Sequence, residues 1–146
     1  MSANAPTWFR EIDHTGDIGI RVTAPSLERL FARAAWGTFA VLTDVDAVEP
    51  REGQVVSVEA ADREALMVRW LSELNFIHTT QHRLFCAFDV EITDTEEGLS
   101  LDATCRGEPI DTDRHTVYTE IKAVTFHGMA IEETDDGWAV QVIFDM

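Results

Sequence analysis

Apolar and polar positions alternate from Ile18 to Thr23. Ile18, Ile20 and Val22 fall on one side and Gly19, Arg21 and Thr23 on the other. That is the period of a half-buried strand. Trp8 to Asp13 reads as a shorter strand before it. Pro25-Ser26 then breaks the alternation, and Leu27, Leu30, Phe31, Ala34, Thr38 and Val41 recur at helical spacing. Ser26 is placed to cap the first free amides of that helix. The helical pattern runs out near Thr43-Asp44.

The rest of the chain repeats these periods. Val56, Val58 and Ala60 mark a strand over Gln54–Ala60. Asp62 caps a second helix whose inward stripe is Leu66, Met67, Trp70, Leu71, Leu74 and Ile77. Leu84, Cys86, Phe88, Val90 and Ile92 alternate, as do Leu99, Leu101, Ala103 and Cys105 after the turn at Glu96-Glu97-Gly98, which predicts a hairpin. Tyr118–Thr125 and His127–Glu132 read as one long strand, or as two with a bulge near Gly128. Asp135-Asp136-Gly137 is a hairpin turn leading into a last strand from Trp138 to Phe144. The expected fold is α+β and two-layered, with an antiparallel or mixed sheet of about seven or eight strands carrying two helices on one face. At 146 residues, one domain over 1–146 is expected, with residues 1–7 flexible.

Composition adds a compartment and a partner class. No stretch approaches the roughly 20 apolar residues of a membrane span. Met1–Thr7 has neither the basic nor the apolar region of a signal peptide, so a cytoplasmic location is expected. The net charge is −16, from 27 acids against 11 bases. Such a surface repels nucleic acid and steers toward basic partners and cations. Ten of the bases are arginine and one, Lys122, is lysine. A salt-adapted source fits that balance, since salt screens the repulsion; so does a plain solvated surface. Cys86 and Cys105 are too few for a disulfide framework. Pairing Ile92 with Leu99 would put them opposite each other, so a cross-strand disulfide stands as the alternative to two reduced core thiols.

Chemistry concentrates at the two ends of the chain. Asp17 follows His14-Thr15-Gly16 at the mouth of a strand, where its carboxylate serves either a metal or a local turn. Asp145 is penultimate and off the inward register of Trp138, Val140, Val142 and Phe144, so it points outward or past the sheet edge beside a terminal carboxylate. His14 and His127 each stand at the end of an expected strand; they read either as hydrogen-bonded structural histidines or, if the fold brings them to Asp17, as an acid–base or zinc set. His78 and His82 have metal-pair spacing but lack the Glu of HExxH, and read as a helix terminus. Lys122 is expected on a strand face with Tyr118 and Glu120, either in a cross-strand pair or as a contact to phosphate. Walker A, GxGxxG, GxSxG and HExxH motifs are absent from the sequence, and nothing argues strongly for an enzyme.

Six stretches carry a resemblance. They are Asp13-His14-Thr15-Gly16-Asp17-Ile18-Gly19, Ser26-Leu27-Glu28-Arg29-Leu30-Phe31, Trp70-Leu71-Ser72-Glu73-Leu74, Arg106-Gly107-Glu108-Pro109, Lys122-Ala123-Val124-Thr125-Phe126-His127, and Gly137 to Met146. In this order and spacing, from residue 8 onward, the chain resembles the archease family, small acidic activators of RtcB-type tRNA-splicing RNA ligases. The resemblance implies a metal-binding accessory protein, not itself the catalyst. Such a protein promotes ligase guanylylation and multiple turnover in tRNA splicing or RNA repair. It also implies a divalent cation, calcium first and magnesium or manganese otherwise, held by Asp17, Asp145 and a carbonyl of Met146. Lys122, with Asp17 and Asp145, is then a residue of ligase activation, and His14 and His127 are candidates to support the ligands from behind. The partner implied is the RNA ligase, with no direct nucleic-acid binding and no membrane. Gly16, Phe126 and Met146 depart from the Ala, Tyr and Ile usual in the family. Two other readings stay open. One is a metal-dependent hydrolase using Asp17, His14 and His127. The other is a general chaperone-like calcium-binding module.

Overall fold

The computed structural model describes residues 6–14 and 16–146, apart from the side chain of His14. Most of the expected flexible segment 1–7 therefore lies outside the described residues. Among the described residues, seven strands and two helices follow in the order β1 (Phe9–His14), β2 (Asp17–Ala24), α1 (Leu27–Leu42), β3 (Glu52–Ala60), α2 (Arg63–Gln81), β4 (Arg83–Thr95), β5 (Gly98–Pro109), β6 (Ala123–Thr134) and β7 (Gly137–Asp145). A single 3-10 turn, Val45–Ala47, lies in the crossover from α1 to β3. The class is α+β, as the pattern predicts. The strands divide into two antiparallel sheets, ordered β1-β2-β7-β6 and β3-β5-β4.

One unit is used twice. A strand leads into a helix, and a hairpin then returns its second strand to pair with the first. β2-α1-β6-β7 is one copy, and β3-α2-β4-β5 is the other, inserted between α1 and β6. Details repeat with the topology. Gly137 and Gly98 close the two hairpin turns at φ +143° and +152°. A Cβ on them would lie 2.2 Å from the Ala24 carbonyl oxygen and 2.3 Å from that of Ala60, each at the end of the strand before a helix. Only glycine fits both the conformation and the space. Ser26 and Asp62 cap the helices, accepting from the amides of Arg29 (3.2 Å) and Ala65 (2.8 Å).

The copies are also cross-linked. Glu28, in the first turn of α1, accepts the amide of Ile92 on β4 at 2.9 Å, and Glu64, in the first turn of α2, accepts that of Ile131 on β6 at 3.1 Å. β4 and β6 are edge strands, so each helix satisfies an exposed edge amide of the other copy. Each helix packs on its own leading strand and on that edge strand. The core therefore lies between helices and both sheets. Ile20, Leu30, Phe31, Phe39, Leu66, Trp70, Leu71, Leu74, Phe85, Val142 and Phe144 are fully buried there. Trp70 keeps its buried N–H satisfied on the Phe31 carbonyl at 2.9 Å. Both inward stripes expected from the sequence face this core.

Two expectations are corrected. Ile92 pairs with Leu101, and Asp94 with Leu99, because the hairpin closes on the two-residue turn Glu96-Glu97. Cys105 then lies opposite Phe88. Cys86 is the extra residue of a bulge between Phe85 and Ala87, and both thiols are free. Burial pushes the Cys105 thiol up to about 12. The segment from Tyr118 to Lys122 is not strand. The Tyr118 amide bonds the Leu42 carbonyl at 2.8 Å, and the Ile121 carbonyl accepts Asn75 Nδ2 at 2.9 Å. These groups are committed to the two helices, so Lys122 shares no strand face with Tyr118 and Glu120. The bulge near Gly128 is present: register shifts between Thr125 and Ala130, with Gly128 at φ +66°.

Candidate metal site at the end of the four-stranded sheet

β2 and β7 are antiparallel neighbours, and their register puts Asp17 directly opposite Asp145. Asp145 is also the partner of Ala123 on β6, and Asp17 that of His14 on β1. The Lys122 amide donates to the Asp145 carbonyl at 2.8 Å. One row across the end of the sheet thus gathers the three segments that the sequence singles out. The inward register of Ile20, Val22, Val140, Val142 and Phe144 turns Asp17 and Asp145 to the opposite, helix-free face. Residues directly opposite in such a pair have Cβ atoms about 4.5–5.5 Å apart, within reach of one shared ion.

Local packing fixes this row. Gly16 turns between β1 and β2 at φ +75°. Gly19 leaves room for its partner Ile143, since a Cβ there would come within 2.8 Å of Ile143 Cδ1. Ile143 is consequently buried although it faces away from the helices. The Thr125 hydroxyl donates to the Ile143 carbonyl at 2.9 Å, holding the start of β6 against β7.

Like charges placed opposite each other in a sheet are destabilising, and the repeat shows that this pair is not demanded by the fold. The turn glycines align Ala24 with Ala60 and Trp138 with Leu99. The same alignment sets Asp17–Asp145 on Gly53–Arg106. The inserted copy makes an equivalent sheet end without two carboxylates.

The donors fit a hard cation. Asp17 is half-buried and Asp145 exposed, and both offer oxygen only. Among the described residues no group of three or more His, Cys, Asp and Glu side chains could hold a metal ion. Two opposed carboxylates are oxygen donors of the kind that suit calcium, magnesium or manganese, with water completing the coordination of any such ion. Met146 is half-buried and packs on the core beside Asp145. Lys122 is exposed, and His127 is exposed in the β6 bulge. The side chain of His14 lies outside the described residues. His78 and His82 end α2 as expected: His78 is buried with Nδ1 2.9 Å from the Arg83 carbonyl, and His82 takes φ 55°.

The sequence reading missed one charged centre. Glu108 is 2% exposed near the end of β5. Its carboxylate accepts from the Glu49 amide at 2.7 Å, His115 Nε2 at 3.1 Å and Arg114 Nη2. His115 Nδ1 accepts the Asp111 amide at 2.9 Å, so the ring is neutral with its hydrogen on Nε2. Glu49 lies in the first crossover between the two copies, and Arg114 and His115 lie in the second. One buried carboxylate thus ties both, and the second crossover ends at Lys122. Burial alone drives the Glu108 carboxyl up; hydrogen bonds from Arg114, the Glu49 amide and His115, with the Arg114 charge, outweigh it and hold it at about 2. The adjacent Arg114-His115 after Arg106-Gly107-Glu108-Pro109 was the one available signal.

No helix among the described residues is long and apolar enough to cross a membrane. A sequence model of the archease protein family matches residues 9–146. The archease of Methanopyrus kandleri is 41% identical over 138 residues, covering 94% of this chain and 99% of that protein. The archease of Thermococcus gammatolerans is 42% identical over 139 residues, covering 94% and 98%. The solution structure of protein 1598 of Methanobacterium thermoautotrophicum superposes with a TM-score of 0.83 at 38% identity, covering 95% of this chain and 99% of that one. Sequence and fold agree over nearly the whole length, and the chain belongs to the archease family.

Proposed function

We propose that this protein is an accessory protein of an RtcB-type RNA ligase in tRNA splicing or RNA repair, and that it promotes guanylylation and multiple turnover of the ligase without being the catalyst. The observation that carries this reading is the Asp17–Asp145 pair, two like charges opposed at an exposed sheet end where the repeated unit has Gly53 and Arg106. Asp17, Asp145 and the Met146 carbonyl are the residues that would hold a divalent cation, calcium first and magnesium or manganese otherwise. Such an ion supplies Lewis-acid stabilisation of charge on phosphate oxygens.

The chain's own residues do the rest. Asp17 and Asp145 orient their carboxylates on rigid strands. Lys122, fixed through its amide to the Asp145 carbonyl, presents a compact ammonium as donor to a phosphate or to the ligase. The net charge of −16 steers the protein toward a basic, RNA-binding face and away from RNA itself. The test is guanylylation of the cognate ligase with and without this protein. Stimulation well above the ligase alone is expected; equal rates and turnover numbers contradict the reading.

A further inference from the structure

Five large hydrophobic side chains are conspicuously exposed among the described residues: Val55 (73%), Phe76 (58%), Val117 (39%), Tyr118 (59%) and Phe126 (61%). Single exposed hydrophobics need no explanation. Here three of the five lie within five positions of Lys122, and the fourth lies on the helix turn whose Asn75 holds Ile121. Val117 and Tyr118 precede Lys122 in the second crossover, and Phe126 follows it at the start of the β6 bulge. Phe76 belongs to the same place, because its neighbour Asn75 donates to the Ile121 carbonyl at 2.9 Å.

This patch is held, not trailing. Val117 pairs with Thr43, whose hydroxyl also donates to the Thr116 carbonyl at 2.7 Å. The Tyr118 amide bonds the end of α1, Asn75 on α2 holds Ile121, and Lys122 is tied to Asp145. The aromatics are therefore presented by ordered backbone, which lowers the entropy lost on binding. Glu120 is exposed in the same stretch, and Asp145 is exposed on β7 where the Lys122 amide reaches it. Aromatic anchors within an acidic rim are complementary to a basic surface with an apolar hollow.

We infer that Phe76, Val117, Tyr118 and Phe126 form the docking surface for a basic protein face, which on the reading above is the ligase's own RNA-binding face. The division of labour follows. The aromatics set how tightly the accessory protein binds, and Lys122, Asp17 and Asp145 set what it does once bound. Contact near Lys122 also brings the acidic sheet end to the partner in one orientation.

The experiment is a titration of full-length protein into the cognate ligase, followed by calorimetry and by guanylylation rate, for wild type, Phe76→Ala, Tyr118→Ala, Phe126→Ala and Val55→Ala. Each aromatic variant is expected to raise the dissociation constant and the half-saturating concentration by about ten-fold, a common loss for an interface anchor. The plateau rate is expected to stay unchanged. Val55, on β3 in the other sheet, is expected to leave both values as in wild type. Melting curves for all four variants should match wild type, because the truncated side chains are exposed. Wild-type binding together with unchanged half-saturation in all three aromatic variants overturns the docking surface alone. A lower plateau at unchanged half-saturation overturns it too, by placing the aromatics in the activation step. Failure of wild type to bind the ligase overturns both this inference and the proposed function.

Discussion

Asp17 and Asp145 stand 128 positions apart in sequence numbering, roughly the whole chain, yet they are direct register partners on β2 and β7. Two carboxylates there repel, and on the proposed function a divalent ion between them would relieve the repulsion. Calcium is expected to raise the melting temperature of wild type, by an amount set by its concentration relative to the dissociation constant. Asp17→Asn and Asp145→Asn are each expected to lose the calcium-induced rise relative to their own metal-free melting temperature. A full calcium shift in either variant, read by calorimetric melting, contradicts the ligand assignment.

Lys122 separates a positioned donor from an ordinary surface lysine. Lys122→Ala is expected to lose most ligase stimulation, and Lys122→Arg a substantial part of it, because a guanidinium fork does not reproduce an ammonium. Stability in both is expected within about 0.5 kcal/mol of wild type, since the side chain is exposed. Full activity of Lys122→Arg in a guanylylation assay contradicts the assignment.

Glu108 predicts a pH dependence. Its folded carboxyl is depressed from 4.5 to about 2. The stability it contributes is present above its unfolded value and is lost as pH falls from about 4.5 toward about 2. Denaturant midpoints of wild type are expected to drop through this window more steeply than those of Glu108→Gln, which has no proton to take up. Parallel acid limbs contradict a charged Glu108 in the fold.

Trp70 tests the core between the helices and the two sheets. It is fully buried and hydrogen-bonded to Phe31. Trp70→Ala is expected to cost about 3–5 kcal/mol, by lost burial and the cavity left behind. Equilibrium urea unfolding measures this; a loss below about 1 kcal/mol contradicts the packing described.

Much of this structure was legible in the sequence, and the misses share a cause. Period and capping residues located both helices and their inward stripes, because Ser26, Asp62 and the 3.6-residue recurrence act locally. The hairpin turns at Gly98 and Gly137 were legible for the same reason. Strand pairing is not local. Alternation is unchanged by a slip of two residues, so Ile92 could be set against Leu99 when the turn sets it against Leu101. Nor does alternation say which strands share a sheet, and the division into two was invisible until the repeated unit was seen in three dimensions. Tyr118–Lys122 has a strand's alternation but spends its backbone bonds on the end of α1, on Asn75 of α2 and on Asp145. Glu108 escaped notice because its partners come from both crossovers. The convergence of Asp17, Lys122 and Asp145 was expected from resemblance rather than from spacing. The register supplies the physical reason, since β7 lies between β2 and β6.

The most direct test of the account is the amount of guanylylated ligase formed with wild type, Asp17→Ala and Asp145→Ala at saturating accessory protein and fixed divalent cation. The account predicts strong stimulation by wild type and little above ligase alone for either variant, with melting curves showing both variants folded. Stimulation by either folded variant equal to that of wild type would contradict the claim that the opposed carboxylates are the working site.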